Sequence, residues 1–182
     1  MHIGHLLTRA ARRWPERPAW LQDAQVITFR QAEARVNRLA HALAMLGATP
    51  GDRIGMLLPN CFQGLETILA PMKGGMAVVP MNARLQPDEH TYMLNDSGAR
   101  VLVYGEEFRQ HLDAMRRRLT TVEHYLCVGA PARGDLSVEA LLEGQPETPP
   151  PVVIAPDDLA WIFYTSGTTG FPKAATLSHR NL

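Results

Sequence analysis

Residues 164–173 read Tyr-Thr-Ser-Gly-Thr-Thr-Gly-Phe-Pro-Lys, directly after an apolar stretch that begins at Leu159. Gly167 and Gly170, three apart, let the backbone turn tightly and present successive amide N–H groups as an anion-binding nest. Thr165, Ser166, Thr168 and Thr169 add hydroxyl donors, and Lys173 adds a cation able to reach phosphate oxygens. Pro172 fixes one φ just before that lysine. The combination suits a polyphosphate. It is not a Walker-type loop, which needs Gly-x-x-x-x-Gly-Lys-Ser/Thr, whereas here the glycines are too close and Ala174 follows the lysine.

Lysine is rare in this chain. Of 18 basic residues only Lys73 and Lys173 are lysines, so each is expected to be there for its own compact ammonium rather than for charge alone. Other chemical candidates carry less. His2-Ile3-Gly4-His5 matches a nucleotide-binding tetrapeptide that works after a strand, and here only Met1 precedes it. The same His2/His5 pair lacks further metal ligands. Arg116-Arg117-Arg118 reads as a solvated helix end, with an anion site as the alternative, and Glu66 as part of a solvated helix face, with a place lining a site as the alternative. His179 reads as the first turn of a helix, with an anion contact as the alternative. His41, His90, His111 and His124 read as isolated, at surface or satisfied positions, and Trp161, Phe163 and Tyr164 as core.

The elements that must position the loop alternate. Helical spacing covers residues 4–14, and short strands at 19–21 and 26–28 flank a polar turn. Thr28 with Gln31 forms a capping-box pattern before a helical stripe that runs to Gly47. A strand at 53–58, a helix at 62–73 with Pro71 distorting its last turn, and a strand at 77–80 follow. Further on lie a helix at 87–95, a strand at 100–104, a helix at 108–119 and a strand at 124–128. Residues 129–151 are turn-rich and read as a surface crossing or linker. Strands at 159–165 and 174–177 flank the glycine-rich loop, and Ser178 stands at an N-cap position. Continuous apolar strands alternating with helices predict an α/β fold around a mostly parallel sheet.

Composition excludes several classes. The 182 residues carry 18 acidic and 18 basic side chains, so no net field steers the chain to nucleic acid or to a membrane surface. No apolar run reaches the roughly 18 residues of a membrane span, and the N-terminus lacks the apolar segment of a signal peptide. Cys61 and Cys127 stand alone, without disulfide or zinc spacing. A cytoplasmic location is the expectation.

Residues 164–173, with Ser178-His179-Arg180-Asn181 after them, resemble the AMP-binding signature of the adenylate-forming superfamily: acyl-CoA synthetases, luciferases and peptide-synthetase adenylation domains. Residues 29–46, 51–60, 75–82, Arg84-Leu85 and 95–99 also resemble it, and most resemble fatty-acyl and related acyl-CoA ligases. The resemblance implies the N-terminal part of that superfamily's large domain. It also implies a two-step reaction, in which a carboxylic acid and ATP give acyl-AMP and pyrophosphate, and coenzyme A then takes the acyl group. Thr165, Ser166, Gly167, Thr168, Thr169, Gly170 and Lys173 would hold the β- and γ-phosphates with Mg²⁺, Thr165 offering a hydroxyl on the metal side. The loop is expected to order on ATP.

Two departures stand out. Ala174 occupies a place where the family usually has glycine, at a cost of about 1 kcal/mol if that backbone needs positive φ. Pro71 interrupts a helix the family leaves intact. The family's adenine- and ribose-binding segments, its hinge and its lid lysine have no counterpart in residues 1–182. The chain is therefore expected to be an N-terminal portion, inactive alone and binding Mg·ATP weakly or not at all. The alternative is a short non-catalytic homologue that binds nucleotide or partners. The acid and the oligomeric state stay open.

Overall fold

A computed structural model describes residues 3–165 and 172–182. After helix α1 (His5–Arg13), strands β1 (Pro18–Gln22) and β2 (Gln25–Thr28) pair as a separate antiparallel hairpin. The chain continues through α2 (Phe29–Met45), β3 (Arg53–Leu57), α3 (Phe62–Lys73), β4 (Ala77–Pro80), α4 (Pro87–Ser97) and β5 (Val101–Gly105). Next come α5 (Arg109–Met115), β6 (His124–Val128), β7 (Leu136–Ser137), α6 (Val138–Leu142), β8 (Leu159–Thr165) and β9 (Lys173–Ser178). Seven strands form one sheet in the order β7-β6-β5-β3-β4-β8-β9, all parallel except the last pair. The expected α/β fold with a mostly parallel sheet is the observed one.

Local chemistry explains the boundaries. Thr28 Oγ1 accepts from the Gln31 amide while Gln31 Oε1 accepts from the Thr28 amide, the reciprocal cap that starts α2. Pro87 opens α4, and Gly98 closes it in the left-handed region at φ 65°. Arg53 donates to the carbonyls of Ser97 and Gly98, and a β-carbon at Gly98 would lie 2.6 Å from the Arg53 guanidinium. Gly98→Ala is therefore expected to cost about 1–2 kcal/mol. Thermal unfolding should show it as a Tm lowered by roughly 2–4 °C per kcal/mol.

The sheet is covered on both faces, which is why β5 is buried at every residue. Val101 and Val103 face a core with Val36, Leu39 and Leu43 of α2, while Leu102 and Tyr104 face Met93, Leu94, Leu112 and Met115 of α4 and α5. Pro71 does not end α3, which runs on to Lys73; the Pro71 carbonyl accepts from the amides of Gly74 and Met76 just beyond it.

Several expectations need correction. The helix expected at 108–119 is shorter: α5 covers Arg109–Met115, and short 3₁₀ turns, Glu106–Phe108 and Arg116–Arg118, flank it. Arg116 is no solvated helix end; its guanidinium lies 4.0 Å over the Tyr125 ring and pairs with buried Asp135. The turn-rich stretch holds β7 and α6, which Ser137 caps. Asn37 and His41 of α2 contact the carbonyls of Glu147 and Thr148, fastening the crossing that leads to β8.

Glu66 is not on a solvated face. It is fully buried, where Arg35 grips it through Nε and Nη2, and Arg35 also reaches Glu139. Lys73 is buried too, with Nζ 2.6 Å from both Glu33 and Asn37, a pocket sized for an ammonium. Phe163 is 48% exposed, so the aromatics of β8 are not all core.

Candidate functional site

The glycine-rich loop joins two strands that run antiparallel. Thr165 ends β8, Lys173 begins β9, and the two are register partners. Thr165 Oγ1 lies 3.5 Å from the Lys173 carbonyl, and both side chains are exposed. A hydroxyl and an ammonium eight residues apart in sequence thus share the mouth of one hairpin. Ala174 pairs with Tyr164 inside the ladder, and Asp23 is the one non-glycine residue with positive φ among the described residues. Alanine therefore fits the extended backbone at 174 without the anticipated strain.

β8 lies beside β4 with Val78 opposite Trp161, so Thr165 and Asn82, each four residues further on, lie on the same carboxyl edge of the sheet. That edge holds a crevice of about 800 Å³ where β3 and β4 end. Its walls include Trp20, Leu58, Phe62 and Met81, and Asn60, Asn82 and Arg84 add polar groups. The chain leaves β3 through α3, which packs on one face of the sheet, and leaves β4 through α4, which packs on the other. Such a reversal opens a cleft at the carboxyl ends, where α/β proteins bind ligands.

The pattern of an AMP-binding enzyme model matches residues 7–182. The chain belongs to the AMP-binding enzyme family. It is 37% identical to a feruloyl-CoA synthase of an Amycolatopsis species over 182 residues, covering 99% of this chain and 34% of that protein. It is 32% identical to the long-chain-fatty-acid–CoA ligase FadD13 of Mycobacterium tuberculosis, covering 100% of this chain and 36% of the relative. The anthranilate CoA ligase AuaEII, solved with anthranoyl-AMP, superposes with a TM-score of 0.95 at 29% identity, over 99% of this chain and 35% of that one. The chain spans about a third of the length of the curated relatives it matches.

Of the residues that resemble the family's phosphate loop, Thr165 and Lys173 are brought together at the hairpin mouth. Ser166, Gly167, Thr168, Thr169 and Gly170 lie outside the described residues, as does His2 of the N-terminal tetrapeptide. Among the described residues, no group of three or more His, Cys, Asp or Glu side chains could hold a metal. No described helix is long and apolar enough to cross a membrane. His179 is buried in the turn after β9, its amide donating to the Asp158 carbonyl, and burial holds its imidazole below the ordinary range.

Sequence reasoning left His90 unassigned, and the structure places it behind the crevice. The ring is fully buried on α4, and as the Nε2–H tautomer it donates to the Asn82 carbonyl at 3.0 Å. Asn82 in turn accepts the Arg84 amide on its side chain and the Leu85 amide on its carbonyl, so His90 steadies the turn on the crevice wall. The only advance signal was a histidine three residues after a helix-opening proline. Burial lowers the His90 pKa, and His111, whose ring centroid is 5.8 Å away, pushes the same way; the Asn82 bond and Glu89 oppose them.

A histidine depressed in the folded state binds fewer protons there than when unfolded, so stability falls as pH drops below about 6.5. His90→Gln keeps a donor for Asn82 and removes the titration. Urea unfolding at pH 7.5 and 5.5 is expected to show a smaller acid loss in His90→Gln than in the unmodified chain. An equal loss would place the acid-sensitive group elsewhere.

Proposed function

We propose that this chain is the N-terminal portion of an AMP-forming acid–CoA ligase and supplies the triphosphate side of its adenylating site. The carrying observation is the meeting of Thr165 and Lys173 at the hairpin mouth, on the sheet edge that holds the crevice. In the first step a carboxylate oxygen attacks the α-phosphorus of ATP, and the bond to the β-phosphate bridging oxygen breaks, leaving acyl-AMP and pyrophosphate. Negative charge grows on the departing pyrophosphate. Lys173 and the loop's N–H and hydroxyl donors stabilise that charge and hold the leaving group in line. In the second step a thiol of coenzyme A takes the acyl group and AMP leaves.

Magnesium bound with the triphosphate would neutralise part of its charge. A hard cation of that kind takes oxygen ligands, mostly water and phosphate. The exposed Thr165 hydroxyl is the side-chain oxygen among the described loop residues that fits it. The relatives include a feruloyl-CoA synthase, a 3-hydroxybenzoate–CoA ligase and a long-chain-fatty-acid–CoA ligase, which supports an apolar carboxylic acid, aromatic or fatty, as substrate class. A cytoplasmic enzyme with no nucleic-acid partner fits the balanced charge.

The test is to read the source DNA past the Leu182 codon and assay the product for ATP–pyrophosphate exchange with aromatic and fatty acids. A continuing frame and acid-dependent exchange would support the ligase. A stop codon at that point would overturn it and favour a non-catalytic nucleotide-binding homologue.

A further inference from the structure

We infer that Tyr164 and Asp96 form a tether that positions the phosphate loop without touching the phosphates, an inference that rests on the reading of residues 165–173 as that loop. The hairpin stem is held unevenly. β9 is the edge strand, and Lys173, Ala174, Ala175 and Thr176 are all exposed. On β8, Phe163 and Thr165 are exposed as well, and the Thr165 hydroxyl makes its contact within the hairpin. Tyr164 is different. Its ring packs against the core between the sheet and α4, edge-on to Tyr92 at 6.5 Å. Its hydroxyl lies 2.6 Å from Asp96 Oδ2 and 3.3 Å from the Met93 carbonyl. One residue before the loop begins, the strand is therefore fastened to the last turn of α4.

The position of Asp96 supports a role beyond the helix. A carboxylate in the last turn faces the negative end of the helix dipole, which disfavours it there. A phenolic donor to an ionised carboxylate makes a short, charge-assisted bond that compensates. α4 thereby fixes both parts of the carboxyl edge, the Asn82 turn through His90 and the stem of the loop through Asp96. A phosphate loop held at its base loses less freedom when the triphosphate binds, so the tether raises affinity by preorganisation.

Amide hydrogen exchange at the stem and Mg·ATP titration of this chain test the inference together. Tyr164→Phe and Asp96→Ala are each expected to speed exchange at Thr165 and Lys173 by about tenfold, the loss of one such bond. The double variant should not exceed Tyr164→Phe, which already removes the hydroxyl's bonds to both Asp96 and the Met93 carbonyl. Asp96→Asn, which keeps an acceptor oxygen but loses its charge, should fall between the unmodified chain and Asp96→Ala. Amides of β3 and β5 should not change, and Mg·ATP binding should weaken in parallel with stem exchange. Unchanged stem exchange, or additive effects in the double variant, would overturn the tether. Faster exchange with undiminished Mg·ATP binding would overturn its positioning role. Loss of Mg·ATP binding already in the unmodified chain, with tether-dependent exchange intact, would overturn the phosphate reading and support the tether.

Discussion

Replacing Arg35 by methionine is expected to destabilise the fold by about 3–5 kcal/mol near neutral pH, because it leaves a buried carboxylate without its partner. Glu66 is 0% exposed on α3, and the Arg35 guanidinium of α2 grips both its oxygens while lying over the Phe62 ring. Burial raises the Glu66 pKa even with Arg35 pulling it down, and Glu139 adds a little in the same direction as burial. A carboxyl whose folded pKa is raised binds more protons folded than unfolded. Its stabilising contribution is full below the unfolded carboxylate range and is lost as pH rises through the folded value.

Without Arg35 the folded pKa climbs further. Urea unfolding should then find the deficit of Arg35→Met larger at pH 7.5 than at pH 5. Arg35→Met with Glu66→Leu should recover most of the loss, since the unpaired charge is gone and the space is filled. A single variant that loses less than about 1 kcal/mol would mean Glu66 is not buried as described.

Lys173→Ala is expected to lower kcat/KM for ATP in acid-dependent pyrophosphate exchange by about 10- to 100-fold in the product that carries the remaining family segments. That range corresponds to losing one hydrogen bond to a charged group, roughly 1.5–3 kcal/mol. Lys173→Arg should recover only part of it, because a planar fork does not replace a compact ammonium. Lys73→Met supplies the contrast. Its ammonium is buried between Glu33 and Asn37, so its loss should lower the Tm and leave the KM for ATP of the folded enzyme unchanged. Equal effects of Lys73 and Lys173 on ATP use would remove Lys173 from the phosphate site.

The sequence showed most readily what is local or repeats with a period. The Thr28–Gln31 cap, the limits of α3 and β6 and the apolar run of β5 depend on neighbours within a few residues or on burial of both strand faces. Partners far apart in sequence stayed hidden. Glu66 read as a polar residue on a helix, and only its meeting with Arg35, 31 residues earlier, makes it a buried partner. Arg116 read as a helix-end cation because Tyr125 and Asp135 approach it only in the folded chain. β7 and α6 are too short to show a period. At the candidate site the residue types were legible in sequence. What was not legible is that β9 turns back antiparallel, closing Lys173 onto Thr165, and that α4 holds both Asn82 and Tyr164.

In the proposed function, residues 165–173 meet the phosphates of ATP. Two-dimensional amide NMR of this chain during a Mg·ATP titration tests it most directly, because weak binding still moves resonances and each resonance reports its own place. Saturable shifts centred on Thr165, Lys173 and Ala174 are expected, with a Kd on the order of millimolar, and their loss in Lys173→Ala. Shifts confined to other parts of the sheet, or none at Thr165 and Lys173 up to saturating nucleotide, would contradict it.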